Sequence, residues 1–313
     1  MLADPGCQDV PLRCLSTTVM APLVLATVVA SGCAEGPQVA VAWRAGAAAW
    51  PENSRTALKR LPPGVPVHVD AFLAFDRQPV LNALPYLDES RCETLAGNPI
   101  EEPVWLLQEE LASLQAGWRC GVVDPAFPDA ATVPDSLVGF DELLAMLADG
   151  TVAPSAVHLQ AGWAPNVSHD PDVFAAELLE RWVRADTGVE LVILADTGLA
   201  LQAFEARAKT LDLPITTTLL WPRLPPKGSQ WGTELGVGLG VMSGTVDVVQ
   251  AAEDAGADSI LIRPSVAARG EVRALRHAGI GVAIGPLTHP ADAPAFERWP
   301  VDTLYVADPT EAR

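Results

Sequence analysis

Short apolar runs alternate with amphipathic stretches from residue 38 to residue 306. The runs at 38–43, 66–72, 156–160, 190–195, 215–220, 259–262, 281–285 and 303–306 are of strand length and punctuated by Gly or Pro. Helical patterns fall between them at 52–60, 141–147, 172–185, 199–211, 245–255, 271–278 and 290–298. Helix-end signals support this parsing. Asp170-Pro171 places a cap before a first-turn proline, and Gly256 and Gly279 stand just past helices. Strands separated by helices predict a parallel sheet, and eight strands close a (β/α)8 TIM barrel. An open doubly wound sheet would need a topological switch point, which the pattern does not show.

Three segments interrupt the alternation. The longest, 75–137, follows the second strand and reads as an insertion. It opens on the strand-like Pro79-Val80-Leu81-Asn82, and the pattern predicts a helix over 103–115. The second, 221–231, is Pro-rich and flanked by tryptophans. The third is Gly236-Val-Gly-Leu-Gly240, which lacks the preceding strand and the following acidic residue of a dinucleotide fingerprint and reads as a turn.

The 313 residues, 49% hydrophobic and 19% charged, suffice for one large core. A formal net charge of -19 argues against nucleic acid and against attraction to anionic lipid head groups. Residues 15–30 are nearly free of charge, with an apolar core at 20–30 too short to span a bilayer, so they read as a signal-peptide segment. Ala30-Ser31-Gly32-Cys33 looks like a bacterial lipobox, although Asp4 and Asp9 outnumber Arg13 ahead of it. The expected organisation is therefore a leader over 1–33, acylated at Cys33, and a barrel over 34–313. That places the protein in a bacterial cell envelope, touching membrane only through the anchor. Cys7 and Cys14 belong to the leader, which leaves Cys92 and Cys120. In an oxidising compartment these read as a disulfide, worth about 3 kcal/mol in the chain-entropy model, and otherwise as two buried thiols.

The most informative segment is 39–70. An apolar strand runs into Trp43-Arg44-Ala45-Gly46, Pro51-Glu52-Asn53-Ser54 opens a helix, and a second strand ends in His68 and Asp70. This resembles the start of the glycerophosphodiester phosphodiesterases, which carry His-Arg-Gly, Pro-Glu-Asn and Glu-x-Asp there. Phe140-Asp-Glu-Leu-Leu and the closing run from Val301-Asp302 to Asp308-Pro309 resemble later family segments, in the same order. The resemblance implies a TIM barrel that cleaves phosphodiesters. Two histidines act as nucleophile and general acid, and three carboxylates hold a divalent cation. In this chain the first histidine position is Trp43 and the second falls at Ala83. The paired Glu is His68, and the Glu-x-Lys strand supplies His158 and Gln160. The late-strand Trp becomes Ile284 or Gly285. Arg44, Glu52, Asn53 and Asp70 persist, and the resemblance implies that Arg44 and Glu52 bind substrate.

By the two-residue period of a strand, His68 shares a face with Asp70, and His158 with Gln160. In a barrel that face is the lumen. His68, Asp70 and His158 are then a candidate ligand set for zinc, where the family's carboxylates suit calcium or magnesium, or else the histidines fill a polar lumen by hydrogen bonding. Arg44 reads as an anion-binding fork or as a salt bridge to Glu52 or Asp70, and Glu52 also as a helix-start carboxylate. Trp43 reads as a plug or, with Trp163 or Trp231, as a stacking surface for a sugar or apolar ligand. Two functions follow. One is a catalytically degenerate barrel serving as a surface binding or structural lipoprotein, with a phosphodiester or sugar-like ligand. The other is an active metal-dependent phosphodiester hydrolase with a re-tuned His/Asp site and metal-bound water as nucleophile.

Overall fold

A computed structural model describes residues 39–121, 127–221 and 247–309. The leader with Cys33, the 221–231 loop after Trp221 and the 236–240 glycine run lie outside the described residues. Strands are β1 (Val39–Ala42), β2 (Val67–Leu73), β3 (Pro79–Leu81), β4 (Tyr86–Leu87), β5 (Cys92–Thr94), β6 (Val104–Trp105) and β7 (Trp118–Cys120). They continue as β8 (Ala156–Ala161), β9 (Glu190–Ala195), β10 (Thr216–Trp221), β11 (Ser259–Ile262), β12 (Gly281–Leu287) and β13 (Thr303–Val306). Helices are α1 (Arg55–Arg60), α2 (Leu111–Gly117), α3 (Phe140–Ala148), α4 (Pro171–Ala185), α5 (Gly198–Thr210), α6 (Val248–Ala255) and α7 (Arg269–His277).

Strands β1, β2 and β8 to β13 form a parallel sheet in the order β1-β13-β12-β11-β10-β9-β8-β2. Ala42 opposite Val67 joins β1 to β2 and closes it. The fold is the (β/α)8 barrel that the alternation predicts. Its strands are covered on both sides, and all seven residues of β2 are buried. Val67, Val69 and Ala71 face outward into the core shared with Leu58, Leu143 and Leu147. The intervening His68 and Asp70 are fully buried on the other face. Helix starts follow local chemistry. Ser54 caps α1 by accepting the Ala57 N–H, and Thr197 caps α5 by accepting that of Ala200.

Two helical expectations change. The 290–298 segment is a 3-10 helix over Pro290–Ala295, because Pro294 inside it lacks the N–H that an α-helix needs. The 103–115 pattern divides into β6, a 3-10 turn at Leu106–Gln108 and α2, since Val104 and Trp105 pair with β4 instead. The insertion carries its own core of Phe72, Val80, Leu87, Cys92, Ile100, Leu106, Leu114 and Leu137. Cys92 and Cys120 face each other across the β5–β7 pair and form a disulfide.

Close approach within the barrel requires glycine at one position above all. A Cβ on Gly285 would lie 2.5 Å from the Tyr305 Cβ and 2.9 Å from its carbonyl oxygen, atoms with little room to yield. Gly285→Ala should therefore cost at least the 1–3 kcal/mol typical of overpacking, read as a lower urea midpoint with an unchanged slope.

Candidate functional site

The chain leaves β1 through a tight 3-10 turn at Trp43–Ala45 in which Arg44 and Ala45 take left-handed backbone angles (φ 49° and 62°). Non-glycine residues hold such angles at a cost of order 1–3 kcal/mol, and they concentrate at functional sites. Here the Asn53 N–H donates to the Arg44 carbonyl (3.1 Å), and the Gly46 and Ala47 N–H groups donate to that of Trp43. This geometry buries the indole while leaving the Arg44 side chain partly exposed.

Trp43 is 8% exposed and packs with Val41, Val192, Leu194, Leu261, Ala283 and Tyr305. Its ring stacks on His68 with centroids 3.9 Å apart and planes 11° from parallel, and Tyr305 meets both rings edge-on. His68 has a partner on each nitrogen. Nδ1 accepts the Arg44 backbone N–H (3.3 Å), so the proton sits on Nε2, which faces the Gln160 Oε1 (3.2 Å). That tautomer is neutral. Burial, and then the Arg44 charge, hold the His68 pKa well below its ordinary value, against the opposing effect of the Gln160 bond.

His158 stands beside His68 in the β2–β8 register. Its Nδ1 meets the Tyr305 hydroxyl at 2.7 Å. Burial, with a contribution from His68, lowers its pKa to about 3. Burial also raises the Tyr305 pKa, so at neutral pH the phenol keeps its proton and donates it to the neutral imidazole.

Around this aromatic centre lies an ionic ring. One Asp70 oxygen forms an ion pair with Arg44 Nε (2.9 Å) and accepts a hydrogen bond from Asn53 Nδ2 (3.0 Å), and the Asp70 N–H donates to Asn53 Oδ1 (3.1 Å). Glu52 accepts Arg44 Nη1 (2.7 Å) on one oxygen and Arg91 on the other. Arg44 thus bridges both carboxylates that its sequence context offers. Glu52 holds two arginines and lies outside α1, so it is a bridging residue more than a helix-start charge.

A divalent cation does not fit this donor set. Both His68 nitrogens are engaged, Nδ1 of His158 is taken by Tyr305, and Asp70 already neutralises Arg44. Among the described residues, the second Asp70 oxygen is buried with no hydrogen-bond partner, a single ligand atom that would need others beside it. Among the described residues, no three His, Cys, Asp or Glu side chains stand close enough together to hold a metal ion. Ala83, at the second histidine position, is buried next to Asn82, whose N–H donates to the Asp70 carbonyl (3.1 Å). It lies beside the site and brings no reactive group. Trp163 is partly buried, and Trp231 lies outside the described residues. Tyr305 and Arg91 join the site without a counterpart among the sequence candidates. For Tyr305 the usable signal was the period of two, since β1–β13 register puts it opposite Val41.

No protein-family model and no curated protein matches the sequence. Solved structures do. One is a candidate glycerophosphoryl diester phosphodiesterase from Silicibacter pomeroyi, 18% identical over 88% of this chain and 92% of that one, with a TM-score of 0.72. Another is an Oleispira antarctica phosphodiesterase in complex with the product sn-glycerol-3-phosphate, at 15%, 87% and 94%, with a TM-score of 0.60. A third is a glycerophosphodiester phosphodiesterase from Parabacteroides distasonis, at 12%, 88% and 95%, with a TM-score of 0.59. The chain shares the glycerophosphodiester phosphodiesterase barrel fold.

Proposed function

We propose that this barrel binds a small phosphate-bearing ligand at its mouth and does not hydrolyse it. The observation that carries the reading is the stack of Trp43 on His68. Phosphodiester cleavage needs a proton donor for the leaving alkoxide and charge neutralisation at phosphorus. An indole cannot attack or protonate, and a histidine bonded on both nitrogens is not free to do so. The neutral forms of His68 and His158 persist well below pH 7, which removes the imidazolium that a general acid requires. Arg44 and Glu52 remain as binding and positioning groups at the partly exposed edge of the site. Export with a lipid anchor at Cys33 belongs to the same reading. The apolar leader, the lipobox-like Ala30-Ser31-Gly32-Cys33 and a disulfide typical of oxidising compartments support it.

The test is an assay of the protein without residues 1–33 on glycerophosphocholine with magnesium, calcium or zinc, alongside calorimetry with sn-glycerol 3-phosphate. We expect binding without turnover. Metal-dependent turnover that disappears in His158→Ala would establish the hydrolase instead.

A further inference from the structure

The insertion grips the mouth at the Pro51-Glu52 segment, and its disulfide lies directly behind that grip. We propose that Arg91 is a positioning residue for Arg44, and that the Cys92–Cys120 bond is the latch that fastens it, so that the mouth binds its ligand tightly once the protein is oxidised. The inference rests on the binding reading above and adds how that site is assembled and regulated.

Arg91 stands just before Cys92, and Gly121 just after Cys120. The two face each other, with the Gly121 N–H donating to the Arg91 carbonyl (2.9 Å). Both press on the segment that opens α1. The Arg91 guanidinium pairs with Glu52. Gly121 (φ 99°) lies so near Pro51 that a Cβ on it would come within 2.9 Å of the proline Cβ and Cγ. Behind them, the Cys120 N–H and carbonyl bond to the Asp135 carbonyl and N–H (2.8 Å each), and the Asp135 carboxylate pairs with Arg55 of α1. On the inner side, Glu52 accepts Arg44 Nη1 (2.7 Å) on its other oxygen, and Asn53 donates its N–H to the Arg44 carbonyl in the left-handed turn. The path Cys92, Arg91, Glu52, Arg44 is therefore continuous, each step a peptide bond or an ion pair.

What the disulfide contributes depends on the strands it joins. β5 and β7 have three residues each and form a two-stranded sheet of their own. Ribbons of two strands are marginal in water. Gly121 and Asp135 hold β7 to the barrel, whereas β5, which carries Arg91, is held to β7 by the disulfide, the ladder bonds and the Arg119–Glu93 ion pair. With the sulfurs apart, Arg91 no longer reaches Glu52 from a fixed base. Glu52 then loses one of its two arginines, and the Arg44 fork must be ordered when the ligand arrives. Formation of the latch is a thiol–disulfide exchange with an external disulfide. One protein thiolate attacks it to give a mixed disulfide, the other displaces it, and it leaves as two thiols with the two electrons and two protons that the cysteines give up. Cys120 is partly exposed and Cys92 is buried, so Cys120 is the sulfur that meets the external disulfide. Such exchange belongs to oxidising compartments, which ties completion of the mouth to export.

The test uses residues 34–313, a compact unit of their own whose only cysteines are Cys92 and Cys120. Amide hydrogen exchange is compared in the oxidised protein and after reduction with dithiothreitol. Reduction should speed exchange of the Gly46 and Asn53 amides by about tenfold and leave those of β9 as they were. Calorimetry with sn-glycerol 3-phosphate should show binding about fivefold weaker in the reduced form, the order expected for immobilising one long side chain. Arg91→Gln should reproduce both effects with the disulfide intact, and Arg91→Lys, which keeps a cation on Glu52, should recover most of the affinity. Faster exchange confined to 75–137, or spread through β9 as well, overturns the latch. Equal affinity of the oxidised and reduced forms, or an Arg91→Gln variant that binds like the parent, overturns it too, and the binding reading stands in each case. If the oxidised protein does not bind sn-glycerol 3-phosphate, the binding reading itself falls, and the latch falls with it.

Discussion

Trp43→Ala is expected to destabilise the barrel by about 3–5 kcal/mol, the range for deleting a buried aromatic side chain. Three contributions go together. The indole leaves a cavity among Val41, Val192, Leu194, Leu261 and Ala283. His68 loses its stacking partner, and Tyr305 loses one of the two rings that its edge meets. At roughly 2–4 °C per kcal/mol for a domain of this size, the melting temperature should fall by about 10 °C. Differential scanning calorimetry of both proteins checks this. A shift below about 2 °C would mean that Trp43 is not part of the core, and the case for a blocked lumen would go with it.

Stability should also decline steeply with acid below about pH 6.5. His68 and His158 are neutral in the fold, where their pKa values are depressed, His158 to about 3. In the unfolded chain both titrate near 6.5. Between these limits the unfolded state binds protons that the folded state refuses. Stability is thus greatest above pH 6.5 and falls as pH drops, by about 1.4 kcal/mol per pH unit for each histidine. Urea midpoints at pH 7, 6, 5 and 4 measure the total. His158→Gln isolates one share, because it removes a single titrating group and should flatten the dependence by about half of the histidine contribution. An unchanged profile in that variant would show that the fold does not depress the His158 pKa.

How much of this was legible in the sequence depends on where each partner comes from. The barrel was readable because β1, β2 and β8 to β13 each carry their own apolar run. The face shared by His68 and Asp70 followed from the period of two. Arg44, Glu52 and Asn53 lie within ten residues of one another, so a local motif could expose them. What the histidines do was not readable, because their partners are distant. Gln160 is 92 residues from His68, and Tyr305 is 147 residues from His158. A candidate metal ligand and a satisfied lumen histidine look alike until those partners are known. The 103–115 helix failed for a related reason, since its amphipathic pattern competed with strand pairing to β4 and lost locally.

Gly285 ties the members of this arrangement to one another. Tyr305 fits only because position 285 has no side chain, Tyr305 in turn supports Trp43 and His158, and Trp43 covers His68. Residues in direct contact do not change independently in their effects. Exchanging Trp43 for the smaller histidine would open a void among Val41, Leu194, Leu261 and Ala283, and no single further substitution at position 285 or 305 could close it. The lumen is therefore coupled as one unit, and its members must be exchanged together to keep it filled.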